Sequence, residues 1–110
     1  MSKKTELKAD LKRIGYDLGG AHLTRQAREA TFNTFARVMR ELEYGIRSAQ
    51  QIGGKHLKAF VAARAAQGIR PRTIANEVSH LRAVLRYVGK QGFLSSPASS
   101  NRALGIAPGK

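Results

Sequence analysis

Apolar residues recur at helical spacing in four blocks along the chain, and alternation at the period of a strand is almost absent. Leu7, Leu11, Ile14 and Leu18 fall at i, i+4, i+7 and i+11 and predict a first helix with one apolar stripe. Thr5 is placed to cap it, Gly15 weakens its last turn, and Gly19–Gly20 ends it. Thr24 is expected to open a second helix. On it Thr31, Phe35, Val38, Met39, Leu42 and Ile46 share a face, with Gln26, Asn33, Arg37, Arg40 and Tyr44 opposite. Gly45 and the Gly53–Gly54 pair bracket a loop.

A third, shorter helix is predicted over 55–67, burying Leu57, Phe60, Val61 and Ala65, with Gly68 just past its end. Pro71 then stands where a helix accepts proline, because the first helical N–H has no intrahelical partner anyway. From it the periodicity runs to about Lys90. Ile74, Val78, Leu81, Leu85 and Val88 form the apolar stripe; Arg72, Asn76, Ser79, Arg82, Arg86 and Lys90 occupy a narrow arc on the other side. After Gly92 the composition changes to Ser-Ser-Pro-Ala-Ser-Ser-Asn, and residues 95–110 read as a mostly unstructured tail. The expected architecture is all-α: a compact bundle of about four helices over 1–92, followed by a Ser/Pro/Gly-rich linker or tail over 93–110.

Composition narrows the function. The chain has 110 residues and no cysteine, which leaves room for one domain and excludes disulfides, thiolate metal sites and a cysteine nucleophile. No apolar run approaches the roughly 18 residues of a membrane span, and the basic N-terminus has no apolar stretch behind it, so neither a membrane nor secretion is implied. The net charge is +13, and Glu77 is the only acid after Glu43. That balance points to a polyanionic partner.

The last helix carries the sharpest signal. Arg82, Arg86 and Lys90 repeat at steps of four, about 6 Å of rise each, and Arg72 and Ser79 extend the line. Such a row can track a phosphate backbone while Asn and Ser hydrogen-bond base edges or phosphates. A merely solvated charged face would interleave acids with its bases, and this one has only Glu77. The second basic cluster, Lys3, Lys4, Lys8, Lys12 and Arg13, does interleave with Glu6 and Asp10 and reads as paired surface charge. Arg64 lies on the apolar face of the third helix, to snorkel past Leu57 and Phe60 to solvent or to emerge at a DNA or subunit contact.

Other signals are discounted. His22-Leu-Thr-Arg25 spells a pairing used to hold a scissile phosphate, but at a helix start with no second arginine constellation and no nucleophile region around it. The terminal Pro-Gly-Lys has the wrong spacing for a phosphate loop. His22, His56 and His80 show no ligand spacing, so no metal and no cofactor are expected. No carboxylate pair suits acid–base work, which leaves no enzyme site and no small-molecule substrate.

The stretch from Lys55 to Tyr87 resembles the N-terminal, SAM-like core-binding domain of tyrosine recombinases, the phage integrases. The resemblance rests on Gly68, on Arg70-Pro71-Arg72-Thr73-Ile74 and on Leu81-Arg82-Ala83-Val84-Leu85-Arg86. The opening Lys-Lys-Thr-Glu-Leu-Lys-Ala-Asp-Leu-Lys-Arg-Ile-Gly-Tyr is similar to the start of an integrase subgroup from bacterial mobile elements, and the likeness spans about 3–92. It implies a helical domain forming half of a C-shaped clamp around duplex DNA, touching neighbouring protomers in a synapse. It also implies a bacterial, cytoplasmic protein held to the nucleoid by DNA. Carried onto this chain, Arg72, Thr73, Asn76, Ser79, Arg82 and Arg86 become the DNA-facing set. The family's catalytic Arg, Lys, His-x-x-Arg and Tyr belong to a separate domain, so the chain is expected to be an excised fragment or truncated product without strand transfer of its own. Two alternatives remain at this level: a helix-turn-helix-like regulator turning near Gly68–Arg72, and a basic adaptor that binds RNA or an acidic protein.

Overall fold

The computed structural model describes residues 6–106, so Lys3, Lys4 and the expected Thr5 cap lie outside the described residues. Four helices of a dozen residues or more build the bundle: α1 (Glu6–Leu18), α2 (His22–Glu41), α3 (Gly54–Ala66) and α4 (Pro71–Tyr87). A short fifth, α5 (Gln91–Leu94), follows them, and single 3₁₀ turns stand at Ala49–Gln51 and Pro97–Ser99. There is no strand among the described residues.

Leu7, Leu11 and Ile14 are fully buried as their spacing requires, and α1 stops where Gly19 and Gly20 adopt positive φ. The next helix begins two residues before Thr24, because Arg25 N–H already bonds the carbonyl of Ala21 at 2.9 Å. Its core face holds Phe32, Phe35, Val38 and Met39. The predicted face does not continue to Ile46. Glu43 takes the left-handed conformation at φ 61°, and Tyr44 N–H closes on the carbonyl of Met39, so the chain leaves the helical path. Leu42 is thereby left exposed, whereas Tyr44, expected on the polar side, turns inward to an edge-on contact with His56, 4.9 Å between ring centroids.

On α3, Leu57, Phe60 and Val61 are buried and Phe60 meets Phe35 edge-on at 5.3 Å. Ala65 is exposed, contrary to expectation, because α3 meets α2 and α4 along a narrower stripe than its alanines suggest. Gly68 ends the helix at φ 84°. Packing of α4 against α1, α2 and α3 sets it at the middle of the bundle, with Ile74, Val78, Leu81, Val84 and Leu85 buried. It ends at Tyr87, three residues short of the predicted limit, where Gly89 at φ 88° lets Lys90 N–H return to the carbonyl of Leu85.

The largest departure is at the C-terminal end. Residues 95–106 fold onto the bundle, with Leu104 2% and Ile106 6% exposed. A radius of gyration of 13.2 Å fits a compact chain of about 100 residues. The Ser-rich run before them and their small neighbours hid the two apolar anchors, which stand only two residues apart.

His56 gives the fold a pH dependence. Its Nδ1 accepts the Gly53 N–H at 2.9 Å, capping α3. Burial first, then the nearby charges of Lys55 and Lys90, hold its pKa below the usual histidine value. The neutral ring is the stabilising form. This contribution is complete above the unfolded pKa of about 6.5 and is lost as pH falls through the lower folded value. The urea midpoint is therefore expected to drop between about pH 7.5 and 5. A His56→Asn variant, which keeps an acceptor but does not titrate, should drop less; an equal drop contradicts the assignment.

Candidate nucleic-acid interface

Because α4 buries one face in the middle of the bundle, its opposite face is presented outward as a unit. Arg72, Asn76, Ser79 and Arg86 lie along this outer face with Thr73 beside them. All five are exposed, and none has a side-chain hydrogen bond or ion pair within the described residues. Cations and amide groups are thus held on a rigid helix with their donors open to solvent.

Arg82 and Lys90 differ from this set. Arg82 sits at the edge of the row and is half-buried. Its Nε donates to the carbonyl of Ser99 at 3.1 Å, and its Nη2 donates to the same carbonyl and to Asn101 Oδ1 at 2.8 Å. Burial works against its charge and lowers its pKa from the usual arginine value. Most of this guanidinium is occupied in fastening the C-terminal segment to α4. Lys90 stands beyond the helix end, half-buried after the Gly89 turn, and is no longer one step further along the row.

The acid of α4 is absent from this face. Glu77 turns inward to Arg64 of α3, Oε1 to Nε at 3.0 Å and Oε2 to Nη2 at 2.6 Å, with the two side chains 11% and 12% exposed. Rather than snorkelling past Leu57 and Phe60 to solvent, Arg64 is engaged by this bidentate pair and by Gln67 Oε1 at 2.8 Å. The pair takes the one acid of α4 away from its outer face, and the nearest carboxylate contact from another element is Asp17, whose Oδ2 accepts the Tyr87 hydroxyl at 2.6 Å near the end of the helix.

Elsewhere the basic surface is mixed. Arg13 pairs with Asp10 at 2.6 Å, and the other Asp10 oxygen accepts the Ala49 N–H at 2.7 Å, so this part of the N-terminal cluster is internal pairing as expected. Lys8, Lys12, Arg25, Arg37 and Arg40 are exposed. His22 and Arg25 stand in the first turn of α2. His80 is held below its usual pKa by burial and by the charge of Arg28. No cluster of His, Cys, Asp or Glu among the described residues is placed to hold a metal ion. No described helix is long and apolar enough to cross a membrane.

Sequence reasoning missed the Arg64–Glu77 pair, the Arg82 clasp and Arg28. The first was within reach: a lone acid beside the apolar stripe of one helix, and a lone arginine on the apolar face of its neighbour, are natural partners.

A family model described as phage integrase, N-terminal, matches residues 1–93. No curated protein and no solved structure matches the chain.

Proposed function

Since the chain belongs to the phage integrase N-terminal domain family, we propose that it is the DNA-binding, core-binding domain of a tyrosine recombinase and grips duplex DNA with the outer face of α4. The observation that carries this reading is the unpartnered row of Arg72, Thr73, Asn76, Ser79 and Arg86, with the one acid of the helix buried beneath it. Arg72 and Arg86 neutralise phosphates, displacing condensed counterions; Thr73 and Ser79 hydrogen-bond the backbone; Asn76 is placed for a base edge. Arg82 supports the same face by holding Ser99 and Asn101 beside it, and Lys90 adds charge at its end. Strand transfer is assigned to a separate catalytic domain. A synaptic contact with neighbouring protomers belongs to the same reading.

Affinity should be that of a module without its partner domain, Kd about 10⁻⁴–10⁻⁶ M at physiological salt. Fluorescence anisotropy on a duplex of about three helical turns, across a salt series, measures this directly. Substituting Arg72→Ala and Arg86→Ala together should weaken binding and reduce the magnitude of the log–log salt slope by about 2, nearly one per phosphate lost. An unchanged slope contradicts the assignment of that face. Preference for structured RNA over duplex would instead favour an adaptor, and a dimer selecting palindromes a regulator.

A further inference from the structure

On the α1–α2 side of the bundle lies a cleft of about 330 Å³ that the reading of α4 does not use. Such a volume is at the small end of ligand sites and holds a unit the size of one nucleotide. Its walls are Lys8, Lys12 and Tyr16 from α1 and Arg25, Arg28 and Glu29 from α2, with the ring of Phe32 at its base. Four cations thus face a single carboxylate.

Arg28 is the unusual member. It is 7% exposed, and it has no carboxylate partner among the described residues. Its Nη2 donates to the carbonyls of Gly15, at 2.8 Å, and Gly19, closing the end of α1. Among the described residues no hydrogen bond engages its Nε or Nη1. A buried guanidinium compensated only by two neutral carbonyls, at the wall of an open cleft, retains attraction for an anion. Gly15 suits the close approach of the two helices at this wall: a Cβ there would stand 3.1 Å from the Phe32 ring, which would have to shift by a few tenths of an ångström.

Tyr16 adds a second chemistry. At 84% it is the most exposed large hydrophobic residue described, and it stands at the rim of the same cleft. A flat ring beside a concave cationic wall suits a nucleobase whose face is free, and in a duplex that face is already stacked.

We propose that this cleft binds one nucleotide unit of single-stranded nucleic acid, its phosphate against Lys12, Arg25 and Arg28 and its base on Tyr16. No residue of α4 lines this cleft, and the proposal does not rest on the reading of the α4 face. The probe is a labelled oligothymidylate of about six nucleotides, within the site sizes of stacking-based binders, titrated into the full chain at low salt. Tyr16→Ala removes a side chain with almost no packing to lose, and should weaken the oligomer about tenfold, the factor equivalent to 1.4 kcal/mol of stacking. Lys12→Ala with Arg25→Ala should do at least as much, and Tyr16→Phe should retain parent affinity. All three should hold duplex affinity within about twofold, while Arg86→Ala weakens the duplex and spares the oligomer. The proposal is overturned by absence of saturable oligomer binding, by an oligomer affinity indifferent to Tyr16→Ala, or by Arg86→Ala weakening both ligands alike, which would mean one shared site. Failure of the α4 reading would show only in the duplex arm.

Discussion

Replacing Glu77 with Ala is expected to destabilise the protein by about 3 kcal/mol or more, a larger loss than any substitution on the exposed row of α4 should cause. The reason lies in what is left behind. Arg64 is 12% exposed and both of its forked donors facing Glu77 are engaged; without the carboxylate, a largely buried guanidinium remains with only Gln67 among its described partners. The desolvation already paid for two charges would then serve one. For a domain of this size, about 3 kcal/mol corresponds to a fall in Tm of roughly 12 °C or more. Removing both partners, as in Arg64→Leu with Glu77→Leu, should recover most of the loss, because a buried ion pair is replaceable by apolar side chains of similar volume. Thermal denaturation of the single and double variants checks both statements. A single variant within about 4 °C of the parent would show the pair to be effectively solvated.

A chain ended after Leu94 should be destabilised comparably. Leu104 and Ile106 are part of the core, and removing either side chain alone costs about 2–5 kcal/mol. The truncation takes both, together with the buried Ser99 and the acceptors of Arg82. This outcome is informative because the family match ends at residue 93, before these residues begin. A truncated chain that melts with the parent would show that the segment docks without contributing to stability; Leu104→Ala in the full chain would then be silent as well.

These two sites also show how far the sequence could be read. The four long helices, the apolar stripes of α1 and α4 and the glycine stops at Gly19, Gly20 and Gly68 were legible because each depends on residues close in sequence, whereas the short α5 was not. The outer row of α4 was legible for the same reason: burying Ile74, Val78, Leu81 and Leu85 forces Arg72, Asn76, Ser79 and Arg86 outward. What escaped depends on contacts distant in sequence. Nothing near Arg82 indicates that a carbonyl 17 residues later will occupy it. The docking of 95–106 rests on two apolar anchors after a Ser-rich run, too few to give a period. The end of α2 at Glu41 follows from the left-handed Glu43, a conformation no local pattern announces for glutamate. The Arg28 cleft exists because three residues, Gly19 to Ala21, fold α2 back against α1.

The central claim is that the exposed row on α4 faces duplex DNA. Backbone amide chemical shifts of the full chain, followed by NMR as duplex is added, test it most directly. The account predicts that the largest changes cluster at Arg72, Thr73, Asn76, Ser79 and Arg86 and extend to Ser99–Asn101 through Arg82. Changes confined to α1 and α2, or spread evenly over the basic surface, would contradict it.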